Sequence, residues 1–287
     1  MIGGSGTTTA AAIEHALENA AGFFAPRETV EGFVARRLLG VTAPRDAELA
    51  DHLIRERRRR SRLDGSIGGS LVLTARALWE LLELGAERDH SSVVRLAGFL
   101  LEQQDRPGRW SDDGAAGDGF FSPGERTSPI APLQLPSGTV FREEADARFV
   151  ASCLALRAVL RAGHESRRKV VTHLESLLRV RVLEPHLDFV VLGALGMAPP
   201  SYWTRIEPLV AEAARHQQAD GTWLNVTVFH AVDLLVSVPT RAARALIVRA
   251  APFVASQQVP SGAFDPTENE AVALIGLRAL LAARAAR

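Results

Sequence analysis

Gln217-Gln-Ala-Asp-Gly221-Thr-Trp223 is the stretch that decides how this chain of 287 residues is read, because its pattern recurs. Gln104-Asp-Arg-Pro-Gly108-Arg-Trp110 and Gln258-Val-Pro-Ser-Gly262-Ala-Phe264 share a glutamine, three residues, a glycine, one residue and a large aromatic ring. Ser61-Arg-Leu-Asp-Gly65-Ser-Ile67 is a degenerate fourth copy. The outer pairs of marker glycines lie about forty residues apart, the length of a two-helix repeat. The longer gap between Gly108 and Gly221 accommodates one further repeat, within residues 171–197, and an insertion at residues 111–142.

Each copy lies between two stretches of helical periodicity. Helices are expected before it at 91–103, 206–218 and 241–257. After it they are expected at 71–84, 145–162, 226–238 and 269–284. Upstream, 10–24, 29–39 and 46–59 supply a further hairpin. The periodicity predicts one all-α domain over residues 1–287, but it does not choose between an open solenoid and a closed ring.

Composition agrees with helix and narrows the function classes. The chain is 47% hydrophobic, with one tyrosine and 6% aromatic residues. Its 33 Lys and Arg balance 33 Asp and Glu, so no net field draws it to nucleic acid. A single cysteine, Cys153, excludes an intramolecular disulfide or a multi-cysteine metal site and fits a reducing cytoplasm. Neither a signal-peptide pattern nor a membrane-spanning apolar run is expected.

The recurring signature followed by a helix of small residues resembles the repeat of terpenoid cyclases and protein prenyltransferase β subunits, over about residues 61–281. Glu144-Ala-Asp146-Ala-Arg148 is similar to the stretch that opens a cavity-facing inner helix in the prenyltransferase subunits. The resemblance implies an α/α toroid of five to six helical hairpins around a central cavity. It also implies a hydrophobic or isoprenoid-like small molecule as ligand.

The chemistry of that family is only partly represented. Where the resemblance puts an Asp-x-Cys pair and a histidine as zinc ligands, this chain carries Leu224, Val226 and Asn269. Zinc-dependent protein prenylation is therefore disfavoured, no metal or cofactor is expected, and Cys153 reads as a buried, inert thiol. The Asp-x-Asp-Asp acid of class II cyclases is missing too; Asp112-Asp113 falls in the insertion. Any cyclase would be a non-standard one.

Polar residues near the starts of expected inner helices remain as candidates. Asp146 is the candidate catalytic residue, and Arg148, His186, Asp188, His230 and Glu270 are candidate ligand contacts, Arg148 holding an anionic group. The bland alternatives are helix capping for Glu270, a capping ion pair for Asp146 with Arg148, and satisfied core or rim positions for the histidines. Phe120, Phe121 and several prolines make residues 111–142 a candidate lid. The basic run from Arg55 to Arg62 reads first as a solvated helix end. The competing function is a catalytically inert toroid that binds or scaffolds a protein partner. A carbohydrate-active barrel is weakened by the scarcity of Trp and Tyr.

Overall fold

The computed structural model describes residues 5–103, 129–179 and 184–286. The signature copy at Gln104, Gly108 and Trp110 and residues 111–128 of the insertion, with Asp112, Asp113, Phe120 and Phe121, lie outside the described residues.

Twelve α-helices are described: α1 (Ser5–Phe24), α2 (Val30–Leu39), α3 (Asp46–Arg60), α4 (Leu71–Glu83), α5 (Ser91–Glu102), α6 (Glu144–Arg161), α7 (Arg168–Leu177), α8 (Pro185–Leu195), α9 (Trp203–Arg215), α10 (Val228–Leu235), α11 (Arg241–Ser256) and α12 (Glu270–Ala285). Several begin at the caps their sequences offer. Thr29, Ser70, Thr240 and Asn269 each accept a backbone N–H of the following turn through a side-chain oxygen.

The even-numbered helices form the inner ring. α2 packs on α4, α4 on α6, α6 on α8, α8 on α10, α10 on α12, and α12 returns to α2. The odd-numbered helices stand outside them, and α1 packs on both α11 and α12. The ring is therefore closed, an α/α toroid of six hairpins. Inner helices are buried on most of their faces, as α6 shows with buried residues at nearly every position from Ala147 to Leu160.

The signature makes the ring. Gly221, Gly262 and Gly65 have φ of +87°, +91° and +86°, which favours glycine. A Cβ at each would overlap a carbonyl oxygen of the next outer helix: Arg249 for Gly221, Asn19 for Gly262 and Arg95 for Gly65. The signature glutamines repeat this logic. Gln217 Nε2 donates to the carbonyls of Gly221 (3.0 Å) and Leu246 (2.9 Å). Gln258 Nε2 donates to those of Gly262 (3.1 Å) and Ala16 (2.8 Å). For the last repeat the next outer helix is α1, so one local rule also joins the two ends. Trp223, Phe264 and Ile67 fill the junctions and are buried.

Residues 129–142, the described part of the insertion, form a two-stranded antiparallel ribbon pairing Leu133 with Phe141 and Gln134 with Val140. Leu133, Leu135 and Phe141 are buried beneath it.

Replacing Gly262 by Ala should destabilise the protein more than replacing Gly40, a helix-ending glycine at φ +71° with nothing within 4 Å of a new Cβ. Gly40→Ala incurs only the backbone cost of about 1–2 kcal/mol, whereas Gly262→Ala adds overlap at the seam. Denaturant unfolding measures both. Equal losses would show that closure does not depend on the close approach.

Candidate functional site

A cavity of about 460 Å3 lies inside the ring, lined from α2, α4, α6, α10, α12 and the turn after strand 133–134. One part of its wall is apolar: Val30 and Val34 from α2, Val72 and Ala75 from α4, Leu154 from α6, and Leu274 with Ile275 from α12. Gln134, Leu135 and Pro136 bring the described end of the insertion onto the same wall. The remainder is charged, with Glu31, Glu80, Glu83 and Asp233 against Arg76, Arg157 and Arg278, and with Trp79 between them.

These charges are arranged around Glu83, which is buried at the end of α4. Its carboxylate receives Arg161 Nη1 at 2.6 Å and Arg278 Nη2 at 2.7 Å, with Arg37 at 3.8 Å. Glu80, one turn earlier, is held by Arg57 Nε at 2.6 Å. The guanidiniums of Arg161 and Arg157 lie over the Trp79 ring, 4.2 and 5.0 Å from its centre. Such stacking favours cations desolvated on one face. Glu83 thereby links α4 to α6 and α12, and more distantly to α2.

Arg157 and Glu31 differ from this paired set. Arg157 is 8% exposed, and its one hydrogen bond among the described residues runs from Nη2 to Ser237 Oγ at 2.9 Å. Its Nε is buried without a partner. Burial pulls the guanidinium below its ordinary pKa, while nearby Asp233 acts in the opposite direction. Glu31 stands in the first turn of α2 without an ion pair among the described residues. Burial raises its carboxyl pKa, and the neighbouring carboxylates of Glu80 and Glu270 add to the shift. It therefore keeps its proton to higher pH than an ordinary glutamate.

None of the six residues picked out from the sequence lines this cavity. Arg148 is about a third exposed and pairs with Glu144 at 2.7 Å. Glu144 in turn accepts the backbone N–H groups of Ile130 and Ala131, at 3.0 and 2.9 Å from Oε2. Burial opposes ionisation of Glu144, but these N–H groups and Arg148 together hold its carboxyl below the usual value. The Glu-x-Asp-x-Arg stretch thus anchors the inserted ribbon to α6, and the placement of Arg148 on the cavity wall is corrected.

Glu270 is likewise taken up by structure, at the seam of the ring. It accepts a short hydrogen bond from Thr29 Oγ1 and faces Arg27 at 3.5 Å. Asp146, His186 and His230 come together at the adjoining N-terminal ends of α6, α8 and α10. Burial raises the Asp146 pKa, with His186 close enough to oppose the shift. His230 is 1% exposed; its Nε2 donates to the His186 carbonyl at 2.8 Å and its Nδ1 is buried without a partner. Burial lowers its pKa, so it stays neutral. Phe141 lies near both histidine rings, at 5.4 and 6.1 Å. Asp188, further along α8, is raised by burial and has no partner in this group. Cys153 is fully buried, and burial pushes its thiol pKa up. Among the described residues no cluster of His, Cys, Asp and Glu has the arrangement to hold a metal ion, and no helix is long and apolar enough to cross a membrane.

A raised carboxyl pKa has a definite consequence for stability. The contribution tied to protonated Glu31 is complete below the unfolded-state pKa and is lost as pH rises through the folded-state value. Glu31→Gln should therefore melt with the parent near pH 4 and above it at pH 8. Parallel melting curves across that range would place Glu31 in solvent.

No protein-family profile matches the chain, and no curated protein matches it in sequence. Among solved structures it is similar to a type II terpene cyclase from Scytonema, determined in complex with its substrate geranylgeranyl dihydroxybenzoate. The TM-score is 0.61 at 12% identity, covering 98% of this chain and 100% of that one. The likeness shows the fold: this chain has the α/α toroid of the terpenoid cyclases.

Proposed function

We propose that the toroid binds a hydrophobic, isoprenoid-type small molecule in its central cavity, and that it is a non-standard cyclase rather than a zinc-dependent protein prenyltransferase. The observation that carries the reading is the cavity wall, apolar along α2, α4, α6 and α12 and polar at Glu31, Asp233 and Arg157. A chain of isoprene units has no hydrogen-bonding groups, so such a wall holds it by exclusion of water, and the polar groups orient its head. The cavity volume of about 460 Å3 lies within the range of small-molecule sites, roughly 300–1,000 Å3. The substrate named for the Scytonema enzyme, with its geranylgeranyl chain, supports the same ligand class.

Glu31 is the group through which this cavity offers acid chemistry. A carboxyl group whose pKa burial raises keeps its proton to higher pH than an ordinary glutamic acid, and it is a weaker acid for the same reason. It suits protonation of an oxygen better than protonation of an unactivated alkene. The alternative, a binding toroid without catalysis, is favoured by the ion pairs that occupy Glu80 and Glu83.

Equilibrium binding of farnesol tests the ligand class. Leu154→Trp, which pushes a larger side chain into the cavity from α6, should weaken binding at least tenfold. Arg58→Ala, on the exposed end of α3, should leave it unchanged. Equal affinity in the parent and in Leu154→Trp would move the ligand out of the cavity. Conversion of a bound isoprenoid to a cyclic product, detected by mass spectrometry, separates the cyclase from the inert toroid.

A further inference from the structure

Two arginines are buried among the described residues, and they are treated differently by the fold. Arg36 has a complete shell. Its Nε reaches Asp46 Oδ1 at 3.0 Å, and its Nη1 donates to the carbonyls of Phe24 and Arg27 at 2.8 Å each. Asp46 is correspondingly held below its ordinary pKa, chiefly by that hydrogen bond. Arg157 has five N–H donors and, among the described residues, a single hydrogen bond, to the neutral hydroxyl of Ser237. No carboxylate lies within 4 Å of it among the described residues; Arg161 and Arg278 have taken Glu83.

A buried cation without a paired anion is costly, and native proteins rarely retain one without a use. Because Arg157 lines the cavity, its missing partner has room to come from a ligand. The wall also limits what that partner is. It carries four carboxylates and three guanidiniums, and two of the carboxylates are already committed to arginines. A multiply charged head such as a diphosphate meets Asp233 as a like charge, whereas a single carboxylate needs only the guanidinium of Arg157 as its partner. The planar guanidinium fork matches a carboxylate with two parallel hydrogen bonds.

We infer that Arg157, supported by Ser237 and Trp79, is the head-group site for a ligand that bears one carboxylate on an apolar chain. The inference rests on the cavity-binding function proposed above and adds the chemical class of the head. Lowering of the Arg157 pKa by burial agrees with it, since an incoming anion relieves the same cost.

Three probes with one apolar chain separate the possibilities: farnesoic acid, farnesol and farnesyl diphosphate. The acid should bind the full-length protein at least tenfold more tightly than either of the others. Arg157→Met should abolish the preference for the acid, keep the affinity for farnesol, and leave the melting temperature of the free protein unchanged or raised, because an unpaired buried charge has been removed. Arg157→Lys, which keeps the charge without the fork, should retain a reduced preference for the acid.

Equal binding of acid and alcohol would overturn the head-group assignment while leaving the cavity function standing. Tightest binding of the diphosphate would overturn the single-charge argument. Arg157→Met with a lowered melting temperature and an intact acid preference would make Arg157 a structural residue. Failure of all three probes to bind would remove the cavity function and this inference with it.

Discussion

Each hairpin exposes apolar surface on two sides, and that surface is covered only if the turn after one outer helix lies against the backbone of the next. The signature glycines make this contact possible. At Gly65, Gly221 and Gly262 the chain passes so near a carbonyl of the following outer helix that no side chain fits, and φ is positive at all three. Gln217 and Gln258 then fasten the turn to the same neighbour. Repeated around the molecule, one fixed relation between neighbours brings Gly262 onto α1, and the ring closes. The seam adds side-chain contacts of its own, from Thr29 and Arg27 to Glu270 and from Arg27 to Glu268.

Closure produces the cavity as a geometric by-product, and the sequence then decides what lines it. Between α4, α6 and α12 the chain places Trp79, Glu83, Arg157, Arg161 and Arg278. Glu83 is buried beneath its ion pairs, and removing one partner would leave a charge uncompensated. This cluster therefore both links the inner helices and gives the cavity a polar end. Arg157 is the member with no carboxylate within 4 Å among the described residues.

The hairpins were legible because their determinants are local. A glutamine, a glycine four residues on and an aromatic ring two after that leave the same trace in three copies, and the glycine alone persists in the fourth, at Gly65. The missing repeat is recovered as α7 and α8 from periodicity alone. The candidate site was legible only as a class of ligand. Charged residues at helix starts attract attention, yet Arg148 and Glu270 serve the inserted ribbon and the seam. The Glu270 contact joins residues 241 positions apart, which no local pattern reveals. Arg157 lies deeper in the same helix as Arg148, within Ala155-Leu-Arg-Ala-Val-Leu160, all of it buried. A charge inside an apolar run on a helix buried all round was the available signal. Glu31 carried none, because its raised pKa arises from burial in the closed ring, with neighbouring carboxylates on α4 and α12 adding to it.

The central claim is that the closed ring surrounds a site for an apolar chain. A crystal structure of the protein with an iodinated isoprenoid acid tests it most directly, since the anomalous signal locates the chain without reliance on the surrounding density. The account predicts one iodine position inside the ring, between the α4 wall at Val72 and Ala75 and the α12 wall at Leu274, with the carboxylate toward Arg157. Iodine found only on the outer helices, with the cavity filled by rearranged side chains, would contradict it.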